Sequence, residues 1–75
     1  MKEIVWAKKA FGQLLTICSD QRTTITYAAA GLKNWPECFG IQPFSAKQHK
    51  LKVGRYHVLF DVNAAIEIKN INCEL

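Results

Sequence analysis

The sequence holds no long apolar run: the longest stretches, such as Tyr27-Ala28-Ala29-Ala30, span a handful of residues. None is long enough to span a bilayer. Charge interrupts the opening Met1-Lys2-Glu3-Ile4-Val5-Trp6-Ala7-Lys8, so the apolar core of a secretory signal is missing and a cytoplasmic location is expected. Cysteine is scarce. Cys18, Cys38 and Cys73 are odd in number and far apart, giving neither a closed disulfide set nor a C-x-x-C knuckle, so they read as buried or incidental thiols. The four glycines, Gly12, Gly31, Gly40 and Gly54, are too dispersed for a nucleotide-binding loop. With His49 and His57 the only histidines, no metal-ligand spacing arises, and neither metal nor small-molecule cofactor is expected.

Acid is also missing from one place. No Asp or Glu lies between Glu37 and Asp61, and that gap contains Lys47, Lys50, Lys52 and Arg55. The rest of the chain balances six cations against six acids, so this stretch carries the whole formal excess of +4. Such a cluster suits a polyanion or an acidic protein partner. What remains is ordinary: 75 residues, 49% hydrophobic and 21% charged, describe one small globular domain over residues 1–75. A chain of this size buries only about three-fifths of its surface, so its stability margin is small and a bound partner shifts it appreciably.

Ile4-Val5-Trp6 has the β-branched and aromatic character of a first strand. From Ala7 the period changes: Ala7, Ala10, Phe11, Leu14, Leu15 and Cys18 follow helical spacing, with Lys8, Lys9 and Gln13 outside. Ser19-Asp20 supplies a stop for this helix and a cap for the next segment. Over Gln21 to Lys33, Thr23, Thr24, Ile25 and Thr26 favour strand while Ile25, Ala28, Ala29 and Leu32 keep helical spacing; the segment is read as a second helix ended by Asn34-Trp35-Pro36. Ile41 to Phe44 is a short extended piece that Pro43 confines to an edge.

The strongest local pattern runs from Lys47 to Asn70. A two-residue turn at Gly54-Arg55 pairs Val53 with Tyr56, Leu51 with Val58 and His49 with Phe60, placing Lys50, Lys52, His57 and Leu59 on the opposite face. A second connection at Val62-Asn63-Ala64 sets Phe60 beside Ile66, Val58 beside Ile68 and His57 opposite Lys69. Lys52, His57 and Lys69 then form a basic row. The expected class is α+β: an N-terminal strand and two helices packed on one face of an antiparallel sheet. Trp6, Trp35, His49 and Tyr56 read as packing residues.

These segments resemble the RelE/ParE superfamily of toxins from bacterial type II toxin–antitoxin modules, and the RelE-like branch in particular. The matching features are Glu3-Ile4-Val5-Trp6 before an Ala-rich helix, Leu32-Lys33-Asn34-Trp35-Pro36, and above all Leu51-Lys52-Val53-Gly54-Arg55-Tyr56-His57-Val58-Leu59-Phe60. The resemblance covers about residues 2 to 71. It implies a toxin neutralised by a cognate acidic antitoxin, acting as a ribosome-dependent mRNA endoribonuclease without a metal. It further implies catalytic roles for Lys50, Lys52 and His57; the charge placement and the basic row add Lys47, Lys50, Lys52, Arg55 and Lys69 as expected RNA contacts.

Two departures accompany it. His57 stands where the family usually has a catalytic Arg, so a permanent charge and a bidentate phosphate fork are exchanged for an imidazole that can act as acid or base. Where a basic segment leading to Arg and Tyr is usual, the sequence reads Asn72-Cys73-Glu74-Leu75. The alternative expectation is therefore a non-catalytic or degenerate paralogue that only binds antitoxin, or a ParE-like inhibitor of another target.

Overall fold

The structure, a computed structural model, describes residues 2–35, 37, 40–45 and 47–73. Pro36, Cys38, Glu74 and Leu75 lie outside them. In chain order the elements are β1 (Ile4–Trp6), α1 (Lys8–Leu15), α2 (Ser19–Ala30), a single turn of 3₁₀ helix (Gly31–Asn34), β2 (Ile41–Pro43), β3 (Gln48–Val53), β4 (Tyr56–Val62) and β5 (Ile66–Cys73). The strands form one sheet in the order β1-β5-β4-β3-β2. The α+β class is as expected. The sheet is mixed rather than purely antiparallel, because β1 pairs parallel with β5, Ile4 opposite Ile66 and Trp6 opposite Ile68; the two helices carry the chain between the first edge strand and the other side of the sheet. Pro43 does lie on the edge strand β2.

The helices cover one face. Ala10 and Leu14 of α1, Ile25 and Ala29 of α2, and Leu32 close on Leu51, Val53, Val58, Phe60, Ile66, Ile68 and Ile71. Among the described residues Phe60 is the largest fully buried side chain. It meets Trp35 edge-on at 5.8 Å and stacks with His49 at 5.7 Å, and Trp35 and His49 are themselves 4.8 Å apart. His49 and Trp35 are thus packing residues, and Tyr56 and Trp6 also pack against the core.

The core-facing stripe of α1 is narrower than its spacing suggested. Phe11 and Leu15 remain 51% and 55% exposed. Gln13 faces the sheet instead: its Oε1 accepts the backbone N–H of Ile71 at 2.8 Å. The second helix begins at Ser19 with Cys18 as its cap residue, and no side chain caps it. Its threonines fit because Thr23, Thr24 and Thr26 each donate a hydroxyl hydrogen bond to the carbonyl four residues back. That bond satisfies the polar group within the helix that strand propensity alone disfavours. The chain leaves the 3₁₀ turn through Trp35 at φ −47° and ψ 137°, the extended geometry a following proline imposes.

Candidate nucleic-acid interface

Two hairpins build the sheet face turned away from the helices. In the first, Gly54 has φ +59°, the left-handed value required at the first position of a type II′ turn. The register is the expected one: Val53 opposite Tyr56, Lys52 opposite His57, Leu51 opposite Val58, Lys50 opposite Leu59 and His49 opposite Phe60. Since alternate side chains share a face, Lys50, Lys52, His57 and Leu59 look outward together, with Lys50 and Lys52 about 6.6 Å apart along the strand. Lys50 and His57 are half-buried, and Lys52 and Arg55 are exposed.

The second hairpin departs from expectation. Its loop is Asn63 to Ala65, where the Asn63 N–H donates to the Ala65 carbonyl at 3.0 Å. Val62 therefore pairs with Ile66, and Phe60 with Ile68. A β-bulge then intervenes, so that Leu59 pairs with Asn70, Val58 with Ile71 and His57 with Asn72. The row across the strands is accordingly Lys52, His57, Asn72. Lys69, expected opposite His57, does not join it.

Lys69 instead forms an ion pair with Glu67. The hydrogen bond to Glu67, opposed by partial desolvation and reinforced by the charges of Glu67 and Asp61, holds the Lys69 ammonium above its ordinary pKa of 10.5. It stays protonated at neutral pH, with much of its charge answered locally. Lys69 is therefore ill placed either to exchange a proton or to clamp a phosphate beside His57. Lys47 lies just before β3, about 17 Å along the strand direction from Lys52. Arg55 sits in the turn next to the Lys52–His57 pair. The structure thus brings together Lys50, Lys52, Arg55 and His57, and leaves Lys47 and Lys69 outside that group.

The bulge had one visible sign in the sequence, the three-residue step from Ile68 to Ile71 after the two-residue step from Ile66 to Ile68. All three isoleucines are buried, which alternation allows only if an extra residue intervenes. Leu59 is only 6% exposed and lies outside the helix-side cluster. It gives the outer face an apolar floor between Lys50 and Asn70. Among the described residues no three His, Cys, Asp or Glu side chains come together, and no helix is long and apolar enough to cross a membrane.

No protein-family model and no curated protein matches the sequence. Solved structures do. One is a chain of the toxin–antitoxin complex RelBE2 from Mycobacterium tuberculosis, 15% identical, with a TM-score of 0.84 over 97% of this chain and 98% of that one. Another is a chain of the RelB-RelE antitoxin–toxin complex from Methanococcus jannaschii, 17% identical, with a TM-score of 0.75 over 92% and 88%. The resemblance drawn from the hairpin residues is thus matched in three dimensions: this chain has the α+β fold found in RelB–RelE toxin–antitoxin complexes.

Proposed function

We propose that this protein is the toxin of a type II toxin–antitoxin module and that its outer sheet face cleaves mRNA on the ribosome. The observation that carries the reading is the pairing of Lys52 with His57, beside Lys50 and Arg55, in a fold shared with chains of toxin–antitoxin complexes. Cleavage without a metal uses the ribose 2′-hydroxyl, which loses its proton and attacks the adjacent phosphorus. The bond to the 5′-oxygen breaks, that oxygen takes up a proton, and a 2′,3′-cyclic phosphate remains. His57 takes the first proton, because a ring nitrogen of neutral imidazole accepts a hydrogen bond and can act as general base. Lys52 and Lys50 stabilise the charge that builds on the phosphorane oxygens, and Arg55 at the turn holds a neighbouring phosphate.

The partner is an acidic antitoxin. Phe11 and Leu15, one helical turn apart and half exposed, offer α1 as apolar docking surface flanked by Lys8 and Lys9. An acidic segment continuing to Lys50 and Lys52 silences the cation group. A second reading, a binding-only paralogue, draws support from Asn72 standing where a third cation was expected and from the engagement of Lys69 by Glu67.

Purified chain added to ribosomes programmed with a defined mRNA separates the two. Cleavage mapped by primer extension, abolished by His57→Ala and by Lys52→Ala, supports the nuclease. Intact mRNA, together with co-purification of the adjacent gene's acidic product, supports the binding-only reading. Neither cleavage nor co-purification overturns both.

A further inference from the structure

A groove of about 390 Å³ opens between the 3₁₀ turn and β3, beyond the end of the edge strand β2. Gly31, Leu32 and Leu51 form its floor, and Asn34, Glu37 and Lys52 its rim. Leu32 and Leu51 are buried, whereas Asn34, Glu37 and Lys52 are exposed. Among the described lining residues, Lys52 alone also belongs to the outer-face cation group. The groove therefore begins where that group ends, turning round the sheet edge toward the helix layer. The space beside Gly31 is open, since an added Cβ there meets nothing within 4 Å.

We infer that this groove receives a guanine base of the RNA strand whose phosphates lie on Lys50, Lys52 and Arg55, an inference that rests on the RNA-cleaving reading above. An apolar floor with a polar rim suits a flat ring recognised at its edge. With Lys52 on one part of the rim to hold a phosphate and Glu37 on another to repel one, the part of the strand that turns in past Lys52 is a base. A carboxylate only accepts hydrogen bonds. Guanine alone among the four bases presents two adjacent donors, N1–H and the 2-amino group, on its Watson–Crick edge. Cytosine and adenine set an acceptor nitrogen beside their single amino group, and uracil flanks its N3–H with two carbonyls. The Asn34 amide then donates to guanine O6 or N7, contacts of the kind by which proteins read unstacked single-stranded bases.

The test measures fluorescence anisotropy of fluorescein-labelled UUUGUUU and UUUUUUU at one fixed salt concentration and across a salt series. The native chain should bind the guanine oligonucleotide about tenfold more tightly, within the range of one bidentate base contact. Glu37→Gln should bring the two affinities close to parity. Because loss of an acid raises affinity for both oligonucleotides alike, their ratio isolates the base contact. Gly31→Leu, which crowds the groove, should reduce the ratio in the same way. If it fails to fold by circular dichroism, the exposed Glu37→Gln variant still decides.

Salt-sensitive binding with no guanine preference, or a preference that survives Glu37→Gln, overturns the inference while leaving the RNA-binding face standing. Absence of salt-sensitive binding to either oligonucleotide overturns both. If Gly31→Leu weakens antitoxin co-purification and spares the guanine preference, the groove belongs to a protein partner and the inference is wrong.

Discussion

The two ends of the outer sheet face differ in one respect that governs what each can do. At the Gly54 end, Lys50, Lys52 and Arg55 gather beside His57, and the strand partners of the two lysines are Gln42, Leu59 and His57, none of them an acid. At the Asn63 end, Lys69 is paired with Glu67, and Asp61 stands opposite Glu67 on the neighbouring strand. Both ends carry lysines, but only the first leaves them available to a ligand. A count of positive residues treats Lys52 and Lys69 alike; the bulge in β5 separates them, leaving Lys69 as the extra residue between the Leu59–Asn70 and Phe60–Ile68 pairs. Availability of charge, more than its presence, marks a polyanion surface.

The strongest way to break this contrast is to remove the available end. Replacing Lys50 and Lys52 together by Ala should lower ribosome-dependent cleavage at least 10²-fold, since stabilisation of the phosphorane charge contributes about that much or more. It should also flatten the slope of log affinity against log salt for single-stranded RNA by about 1.4, roughly 0.7 for each phosphate that a lysine neutralises. Unchanged cleavage would mean that the chemistry lies elsewhere on the molecule.

The geometry of that end depends on one backbone position. Gly54→Ala forces a side chain into the left-handed region and should destabilise the domain by about 1–2 kcal/mol, with loss of cleavage as the Lys52–His57 register loosens. Urea denaturation followed by circular dichroism measures the first effect. A variant as stable as the native chain would show that the turn is not strained by a Cβ.

Gln13→Ala tests the bulge that divides the two ends. It leaves the partly buried Ile71 N–H without its acceptor and should cost about 1 kcal/mol. Hydrogen exchange at Ile71 should then speed up more than at Val58. Equal acceleration at both amides would indicate a global effect and deny Gln13 its local role.

Glu67→Gln sharpens the contrast from the other side by releasing Lys69. The RNA salt slope should steepen by at most about 0.7, the increment for one neutralised phosphate. A larger change would place Lys69 inside the RNA surface.

The smallest effect is that of pH on the Lys69–Glu67 pair. A lysine whose pKa is raised by folding contributes stability that is complete below its ordinary 10.5 and is lost as pH climbs through the elevated folded value. Because both side chains are about two-fifths exposed, the pair is weak. The difference in melting temperature between the native chain and Glu67→Gln should be small at pH 9 and vanish in more alkaline solution. A difference that grows above pH 11 would have the wrong sign.

The sequence makes the first hairpin legible and the second less so, for a physical reason. Gly54 announces a turn whose type fixes the pairing of every residue from His49 to Phe60. Asn63-Ala64-Ala65 holds neither Gly nor Pro, and a register slip of two residues leaves each side chain on its own face, so alternation cannot distinguish Phe60 beside Ile66 from Phe60 beside Ile68. The bulge then adds one further residue of offset. The same limit applies to α1: Phe11 and Leu15 keep helical spacing, but how wide a stripe the sheet can cover is a tertiary matter. Of the candidate site, Lys50, Lys52, Arg55 and His57 were readable together because they flank one local turn. Lys69 was misplaced because its position rests on the longer connection.

The strand order has a consequence for how the molecule comes into being. β1 is completed by β5, and Ile4 meets Ile66, a contact between opposite ends of the chain, whereas the β3–β4 hairpin closes locally. Contacts of such long range are slow to form, because the intervening chain must be ordered before they reward it. The cation-bearing hairpin can close on local contacts alone, whereas Ile4 and Trp6 cannot be sealed against the core without β5. Until β5 pairs with β1, the core-facing sides of Ile4 and Trp6 stay uncovered, so closing this edge is the last step in completing the sheet.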